Sequence, residues 1–157
     1  MTFFGLFGKK ERKDSKVSFE SKLVPKLLND HKKLVEKVQA IESELHKPRG
    51  EIDEKKIRNL LKSFRVELLG HFMEEDIKLY WYLEHRYGHN DTAIETIKSF
   101  KESIKGIQKE VMRFIDSYTV RDLPIDNEFF ITFREVVKAL SDRIQAEENN
   151  LYPLYIP

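Results

Sequence analysis

Residues 57–83 read IRNLLKSFRVELLGHFMEEDIKLYWYL, and the spacing of their apolar side chains decides the fold. Large residues recur at steps of three and four, which is the pattern of one buried helix face. The positions on this face are Ile57, Leu61, Phe64, Leu68, His71/Phe72, Glu75, Leu79 and Tyr82/Leu83. The stretch predicts a long amphipathic helix that ends at Gly88, with a few polar residues inside its apolar stripe.

Three further stretches have the same periodicity. The first runs from Leu23 to Leu45 and is stopped by Pro48 and Gly50. A third helix is expected from a cap at Asn90/Asp91 through Ile115, and a fourth from Phe129 to Leu151 after the break at 123–127. No stretch alternates like a strand. The prediction is an all-α fold, an antiparallel up-down-up-down four-helix bundle, in which the stripes bury one another.

Composition restricts the function classes. At 157 residues the chain suits one domain, and a net charge of +1 gives no reason to expect nucleic acid as a partner. The absence of cysteine excludes disulfides, iron–sulfur clusters and thiol catalysis, and it fits a cytoplasmic location. No nucleophile triad or phosphate-binding glycine loop is present either, so we expect a protein that is not an enzyme.

The N-terminus is apolar over only eight residues, MTFFGLFG, followed by basic residues. This run is far shorter than the roughly 20 residues needed to span a membrane, and its charge order is not that of a secretion signal. We expect residues 1–20 to form a flexible tail, with a weak membrane or partner contact as the alternative, and residues 21–157 to form the bundle.

Polar residues occupy four positions at which the helical periodicity calls for apolar ones. They are His31, His71, Glu75 and Glu147. A buried carboxylate is costly unless it is paired or bound to a cation, and imidazole with carboxylate suits iron, manganese or zinc. A lone buried histidine is more often a core residue bonded to a carbonyl. The combination, however, predicts a metal site formed by His31, His71, Glu75 and Glu147.

The other three histidines are expected to have surface or capping roles. His85 follows His71 by fourteen residues, which is roughly 21 Å along a helix axis and too far to share an ion. His89 lies beyond Gly88, and His46 lies at the end of the first helix.

The second helix and the chain's end share a motif. HFMEEDIKLY at 71–80 aligns with RIQAEENNLY at 143–152, so that the glutamates and the Leu-Tyr pairs coincide. Arg143 then stands where the first copy has His71. The repeat indicates a duplicated half-site in which one imidazole has been replaced by a fixed positive charge.

The histidine of the first helix, the His-x-x-x-Glu pair of the second and the repeated half-pattern resemble the hemerythrin-like cation-binding (HHE) family. The similarity spans about Leu23 to Tyr155. It implies a four-helix bundle with a non-heme di-iron centre, each half supplying one His and a His-x-x-x-carboxylate pair, and roles in oxygen binding, iron or oxygen sensing, or repair of iron centres. On this pattern Glu147 corresponds to the second bridging carboxylate, while Arg143 and Lys101 stand where the second half needs histidines.

Neither Arg143 nor Lys101 is expected to ligate iron, because both side chains are normally protonated. If both reach the centre, they balance Glu75 and Glu147, and two added divalent ions would leave a strongly positive interior. We therefore expect one metal ion, iron by resemblance, or none. In the metal-free case Arg143 would bridge the two glutamates.

The leading functional prediction is a metal or oxygen sensing or binding domain whose partners are a metal ion and dioxygen. The alternative is a metal-free interaction protein, similar to the Rsd/AlgQ family of anti-sigma regulators, on the basis of Gly70-His71-Phe72 and an arginine at the head of the final motif. Such a protein would bind a protein partner through its surface. A ferroxidase or peroxidase ranks last, because the ligands for a second iron are missing.

Overall fold

A computed structural model describes residues 18–157 of the chain. Helix α1 spans Leu23–Leu45. Helix α2 is a rod of three segments, α-helical Glu54–Glu74, π-helical Glu75–Tyr80 and α-helical Trp81–Arg86. Helix α3 spans Asp91–Thr119, and α4 is α-helical over Asn127–Ala146 and π-helical over Glu147–Leu151. Short 3₁₀ turns cover Arg49–Glu51 and Tyr152–Leu154. The predicted all-α fold with four long helices is confirmed.

Side-chain caps explain where three of the helices begin. Asp53 accepts a hydrogen bond from a backbone N–H of the first turn of α2, and the predicted cap Asn90 does the same for α3. Asp126 accepts two such bonds at the start of α4. These acceptors satisfy N–H groups that have no partner inside a helix.

In each pair of neighbouring helices, residues near the start of one helix contact residues near the end of the other. Arg58, near the start of α2, donates to the carbonyl of Tyr118 at the end of α3, 2.7 Å away. Glu84, near the end of α2, pairs with Lys101 in the first half of α3. Contacts between α1 and α2, and between α3 and α4, follow the same order: Glu44 with Asp53, His31 with His71, Phe114 with Phe129, and Arg143 with Phe100. The rods therefore pack in alternating directions.

Both copies of the repeated motif depart from α-helical geometry. A π-helical segment begins at Glu75 in α2 and another at Glu147 in α4. The apolar periodicity predicted a continuous helix in both places, but it did not predict the π-helical geometry. Such segments accommodate an extra residue within a helical turn and are frequent at functional sites.

The core changes character along the bundle. At the end where α3 and α4 join, an aromatic cluster fills the interior, consisting of Phe114, Tyr118, Phe129 and Phe133. The middle is aliphatic, with Leu34, Ile41, Leu61 and Leu68 at most 2% exposed. The opposite end contains the polar residues of the candidate site.

The predicted flexible tail lies mostly outside the described residues. Its last members, however, are packed: Phe19 stacks on Tyr155 with ring centroids 4.8 Å apart, and the Glu20 N–H donates to the Tyr155 hydroxyl. The packed part of the chain thus begins before the predicted boundary at residue 21. Among residues 18–157, none of the helices has the length and apolar content needed to cross a bilayer.

Candidate metal centre

The four residues predicted from the sequence meet inside the bundle. His31 comes from α1, His71 and Glu75 from α2, and Glu147 from the end of α4. None is more than 3% exposed, and one nitrogen or oxygen atom from each lies within 4.8 Å of those of the other three. The structure therefore brings together all four candidate ligands.

Local helical geometry explains why the side chains converge. His71 and Glu75 are four residues apart, so they point in the same direction from adjacent turns of α2. His31 lies on the buried stripe of α1, between Leu27 and Leu34. Because α1 and α4 pack with opposite directions, the start of the first helix meets the end of the last, which places His31 beside Glu147.

The distances between donor atoms match those around a single ion. The Nε2 atoms of His31 and His71 are 3.1 Å apart, and His71 Nε2 is 3.4 Å from Glu75 Oε2. His31 Nε2 lies 3.9 Å from Glu147 Oε1. Ligand atoms held about 2.0–2.2 Å from one metal are themselves roughly 3–4 Å apart.

A carboxylate orients each imidazole from behind. His31 Nδ1 lies 2.6 Å from Glu148 Oε2, and His71 Nδ1 lies 3.0 Å from Asp30 Oδ2. An ionised carboxylate only accepts hydrogen bonds, so each Nδ1 carries the proton and donates it. Carboxylate–histidine pairs of this kind fix the ring orientation and increase the basicity of the remaining nitrogen in metal sites.

When both rings are neutral, the two Nε2 atoms face each other with lone pairs, 3.1 Å apart. This arrangement is repulsive unless a positive group lies at the same point. A proton on one imidazole satisfies the requirement, and so does a metal ion bound by both.

The electrostatics indicate where protons reside without metal. Burial lowers the pKa of His71, but Glu75 and Asp30 outweigh it, so the pKa of His71 is raised overall. The pKa of His31 is lowered by burial, despite its bond to Glu148. Burial and the nearby charge of Glu75 raise the pKa of Glu147 well above its usual value. Without a cation, protonation is thus favoured at His71 and Glu147 and disfavoured at His31.

Glu147 has no hydrogen-bond partner for either carboxylate oxygen, and Glu75 Oε1 also lacks one. Leaving such groups buried and unpaired is costly. Two imidazole nitrogens and carboxylate oxygens are a donor set for iron, manganese or zinc. The residues present therefore fit a bound divalent metal.

Two tyrosines of the centre were missed in the sequence analysis. The Tyr152 hydroxyl donates to Glu75 Oε2 at 2.6 Å and lies 3.2 Å from His31 Nε2. The Tyr80 hydroxyl is buried without a partner. Burial and the neighbouring glutamates raise the pKa of both phenols. The available signal was the repeated Leu-Tyr, which places each tyrosine five residues after a glutamate of the site.

The outer carboxylates Asp30 and Glu148 were also missed. Each is adjacent in sequence to a candidate ligand, and neighbouring residues on a helix point in different directions. Their role becomes visible only when the helices are packed, because Glu148 of α4 approaches His31 of α1, and Asp30 of α1 approaches His71 of α2.

The second half-site contains one cation of the two considered. Lys101 pairs with Glu84 at 2.9 Å, so its charge is already balanced. Arg143 lies one turn before Glu147, with its guanidinium 4.8 Å from the centroid of the Phe100 ring. Within residues 18–157, no hydrogen bond or ion pair joins Arg143 to Glu75 or Glu147. The bridge expected for a metal-free core is therefore not formed.

A surface cavity opens beside the imidazole of His71. Its volume is about 240 Å³, and its lining includes Lys26, Asp30, Glu67 and Gly70. Gly70 contributes no side chain at this opening, and acidic residues stand at its wall. Of the four candidate ligands, only His71 lines this cavity.

Comparison with known proteins identifies the family. No curated protein and no solved structure matches the chain at a significant level. The family described as the hemerythrin HHE cation binding domain matches residues 22–155. This range includes all four helices and every residue of the centre described above. The chain therefore belongs to the hemerythrin HHE cation-binding family.

Proposed function

We propose that this domain binds one divalent metal ion, physiologically iron, through His31, His71, Glu75 and Glu147. The observation that supports the proposal most directly is the convergence of four buried ligand atoms within 4.8 Å of one another, including the Nε2 atoms of His31 and His71. Membership of a cation-binding family and the unpaired oxygens of Glu147 agree with it.

The chain's own residues would determine how the ion is held. Asp30 and Glu148 keep both imidazoles in the tautomer that presents Nε2. Tyr152 orients Glu75 by donating to Oε2. The surrounding Leu27, Leu79 and Leu151, all 0% exposed, exclude water from this end of the bundle. Iron in such a set would supply redox and oxygen-binding chemistry.

We further propose that the role is metal or oxygen sensing or binding, and not catalysis. The second half-site presents Arg143 in place of an imidazole, and Lys101 is engaged with Glu84. Redox turnover at a di-iron centre needs two bound irons. This chain lacks two of the histidine ligands that the second iron would require. A cytoplasmic location is part of this proposal, on the ground that the chain has no cysteine.

Metal stoichiometry tests the proposal. Purified protein is loaded anaerobically with ferrous iron, and iron per chain is measured together with the visible spectrum before and after exposure to air. We expect about one iron per chain, lost in His71→Ala. His85→Ala is the matched control, because His85 is an exposed histidine of the same rod and should keep the wild-type value.

Two results would contradict the proposal. Two irons per chain with an oxo-bridge absorption band would show that the second half-site also binds metal. No bound metal, with equal stability in the presence and absence of chelator, would favour the metal-free interaction protein, and binding to a purified sigma subunit would then be the next measurement.

A further inference from the structure

The two imidazoles of the candidate centre have unequal outer partners. His31 Nδ1 donates to Glu148 at 2.6 Å, and His71 Nδ1 donates to Asp30 Oδ2 at 3.0 Å. In the part of the chain that the structure describes, no lysine or arginine forms an ion pair with Glu148. Asp30 differs, because Lys26 Nζ lies 3.1 Å from the same Oδ2 atom that accepts from His71. One oxygen atom therefore serves both an imidazole and an ammonium group.

Contacts on two helices hold Lys26 at this oxygen. Its ammonium group bonds to Asp30 on α1 and also to Glu74 on α2. The bond to Glu74, followed by Asp30, raises the pKa of Lys26 despite its partial burial, so the side chain is charged at neutral pH. The side chain of Lys26 is 53% exposed, whereas those of Asp30 and Glu74 are 16% and 19% exposed. A surface cation thus contacts the carboxylate that lies behind a buried candidate ligand.

The charges next to Lys26 show which group its charge acts on. Asp30 and Glu74 carry two negative charges, and Lys26 contacts both of them. Glu74 has a second cation, Lys78, at 3.6 Å, and Lys78 also lies 3.7 Å from Glu20. For Asp30, by contrast, Lys26 is the one lysine or arginine ion-pair partner among residues 18–157. Loss of the Lys26 charge would therefore leave Glu74 paired, but it would leave Asp30 with its imidazole partner alone.

We propose that Lys26 sets the affinity of the metal site by drawing negative charge from Asp30 and so from His71, an inference that rests on the proposed function. A carboxylate behind a ligating imidazole increases the basicity of the nitrogen that faces the metal. A cation bonded to the same carboxylate oxygen weakens this effect. Lys26 is thus a positioning residue that acts through Asp30 and keeps metal affinity low. Acylation of its exposed amine removes the charge and would raise that affinity.

The competing explanation is that Lys26 only fastens α1 to α2. An ion pair as exposed as this one contributes little to stability. On this explanation, loss of the lysine loosens Asp30, and the support of His71 becomes weaker. Zinc affinity would then fall or stay unchanged. Only the proposal predicts a gain in affinity.

The zinc affinity of Lys26→Gln, measured by competition with a chromophoric chelator, tests the proposal. Removal of an outer carboxylate typically changes metal affinity about 10–100-fold, and Lys26 cancels part of that contribution. We therefore expect Lys26→Gln to bind zinc at least about threefold more tightly than wild type. Lys26→Arg keeps the charge and should have wild-type affinity. Lys26→Met, which also lacks the charge, provides the test if Lys26→Gln does not fold.

Lys33→Gln is the matched control. Lys33 is an exposed lysine of α1 that lines the same cavity beside His71, and among the described residues it forms no ion pair with Asp30. Its loss changes the net charge equally and acts on the ion only through space, where salt screens it. We expect zinc affinity within about twofold of wild type.

Two further measurements show whether Lys26 acts through Asp30. In the Asp30→Asn background, Lys26→Gln should change zinc affinity no more than Lys33→Gln does, because the carboxylate between the lysine and the imidazole is gone. In the NMR spectrum of the zinc-loaded protein, Lys26→Gln should move the Nδ1 proton of His71 downfield, since its hydrogen bond becomes stronger. The Nδ1 proton of His31 should not move.

The proposal is overturned if Lys26→Gln binds zinc no more tightly than wild type, or if its gain persists in the Asp30→Asn background. An unchanged or upfield His71 proton would overturn it as well. In each of these cases the wild type still binds zinc, so the metal site itself survives. If the wild type binds no zinc, the proposed function and this inference both fail, and the absence of binding distinguishes that result.

Discussion

Glu147 is the most deeply buried of the four candidate ligands. It is 0% exposed, and both carboxylate oxygens lack a partner. Burial and Glu75 raise its pKa, so the metal-free protein stabilises the protonated acid. A residue of this kind lowers stability in the absence of its cation and increases it in its presence.

Glu147→Gln should make the metal-free protein more stable at neutral pH. The amide is neutral, so the cost of ionising the buried acid disappears, and we expect a gain of about 1–3 kcal/mol in the free energy of unfolding. Metal affinity should fall at least about tenfold. Urea unfolding with excess chelator, and a zinc titration, measure the two quantities.

The gain in the free energy of unfolding from Glu147→Gln should increase as the pH rises. The folded-state pKa is raised above the ordinary value of 4.5, so folding takes up a proton. The stability from the protonated acid is fully present below 4.5 and is lost as pH rises through the raised pKa. The advantage of the variant should therefore grow with pH across this window. Glu135→Gln, an exposed control on α4, should show no such trend, and a gain independent of pH would contradict the assignment.

The outer carboxylates should affect metal affinity more than they affect the fold. In Asp30→Asn the amide oxygen can still accept from His71 Nδ1, but the negative charge behind the imidazole is lost. We expect about 10–100-fold weaker metal binding, as is typical of such partners. Glu148→Gln should act similarly through His31. Asp142→Asn, which removes an exposed partner of Lys138, should leave zinc affinity unchanged.

At the scale of the helix, the π-helical segments explain how each glutamate and its tyrosine share one side of a helix. In an α-helix, residues five apart point about 140° away from each other. In a segment closed by i→i+5 hydrogen bonds they lie one turn apart. Glu75 and Tyr80 delimit the first such segment, and Tyr152 follows the second, which starts at Glu147.

An extra residue inside a π-helical segment should be removable. Deletion of Lys78 allows α-helical bonding to resume while Leu83 keeps its place in the core, and we expect a loss below about 2 kcal/mol. Deletion of Lys62, an exposed lysine in the α-helical segment of the same rod, rotates one side of the helix by about 100°. It should cost more, because Ile57 and Leu61 leave the core at about 1.5–3 kcal/mol each. Urea unfolding of the two variants measures the difference, and equal losses would contradict this account.

At the scale of the whole molecule, stability and binding belong to opposite ends of the bundle. The aromatic cluster around Phe129 precedes Glu147 by eighteen residues, or roughly 27 Å along α4. The rings of Phe129 and Phe133 stack 5.6 Å apart, and Phe129 is 0% exposed. No polar residue of the centre takes part in this packing.

Phe129→Ala should therefore lower the free energy of unfolding by about 3–5 kcal/mol without a comparable effect on the metal site. We expect zinc affinity to remain within about threefold of wild type, since distant sites act almost independently. Chemical unfolding and a zinc titration on the same preparation check both parts. A parallel loss of metal affinity would show that the two ends are coupled.

Much of this protein was determined by its sequence alone. Helical periodicity and the breaks at Pro48, Gly88 and Pro124 were sufficient for four helices, because an amphipathic stripe has to be buried against another. The polar residues inside those stripes are His31, His71, Glu75 and Glu147. They were predicted to form one group, because burying polar side chains without a hydrogen-bond partner or a cation is costly.

Only the tertiary structure decided how the group is completed. Asp30 and Glu148 act across helix boundaries, so no spacing within one helix reveals them. The π-helical segments and the inward-facing Tyr80 and Tyr152 depend on i→i+5 bonding, which apolar periodicity does not specify. The pairing of Lys101 with Glu84, and the position of Arg143 over Phe100, followed from side-chain packing between rods. Only the packed bundle therefore shows which cations of the second half-site are paired. Counting the charged residues along the chain does not reveal that Lys101 is paired with Glu84.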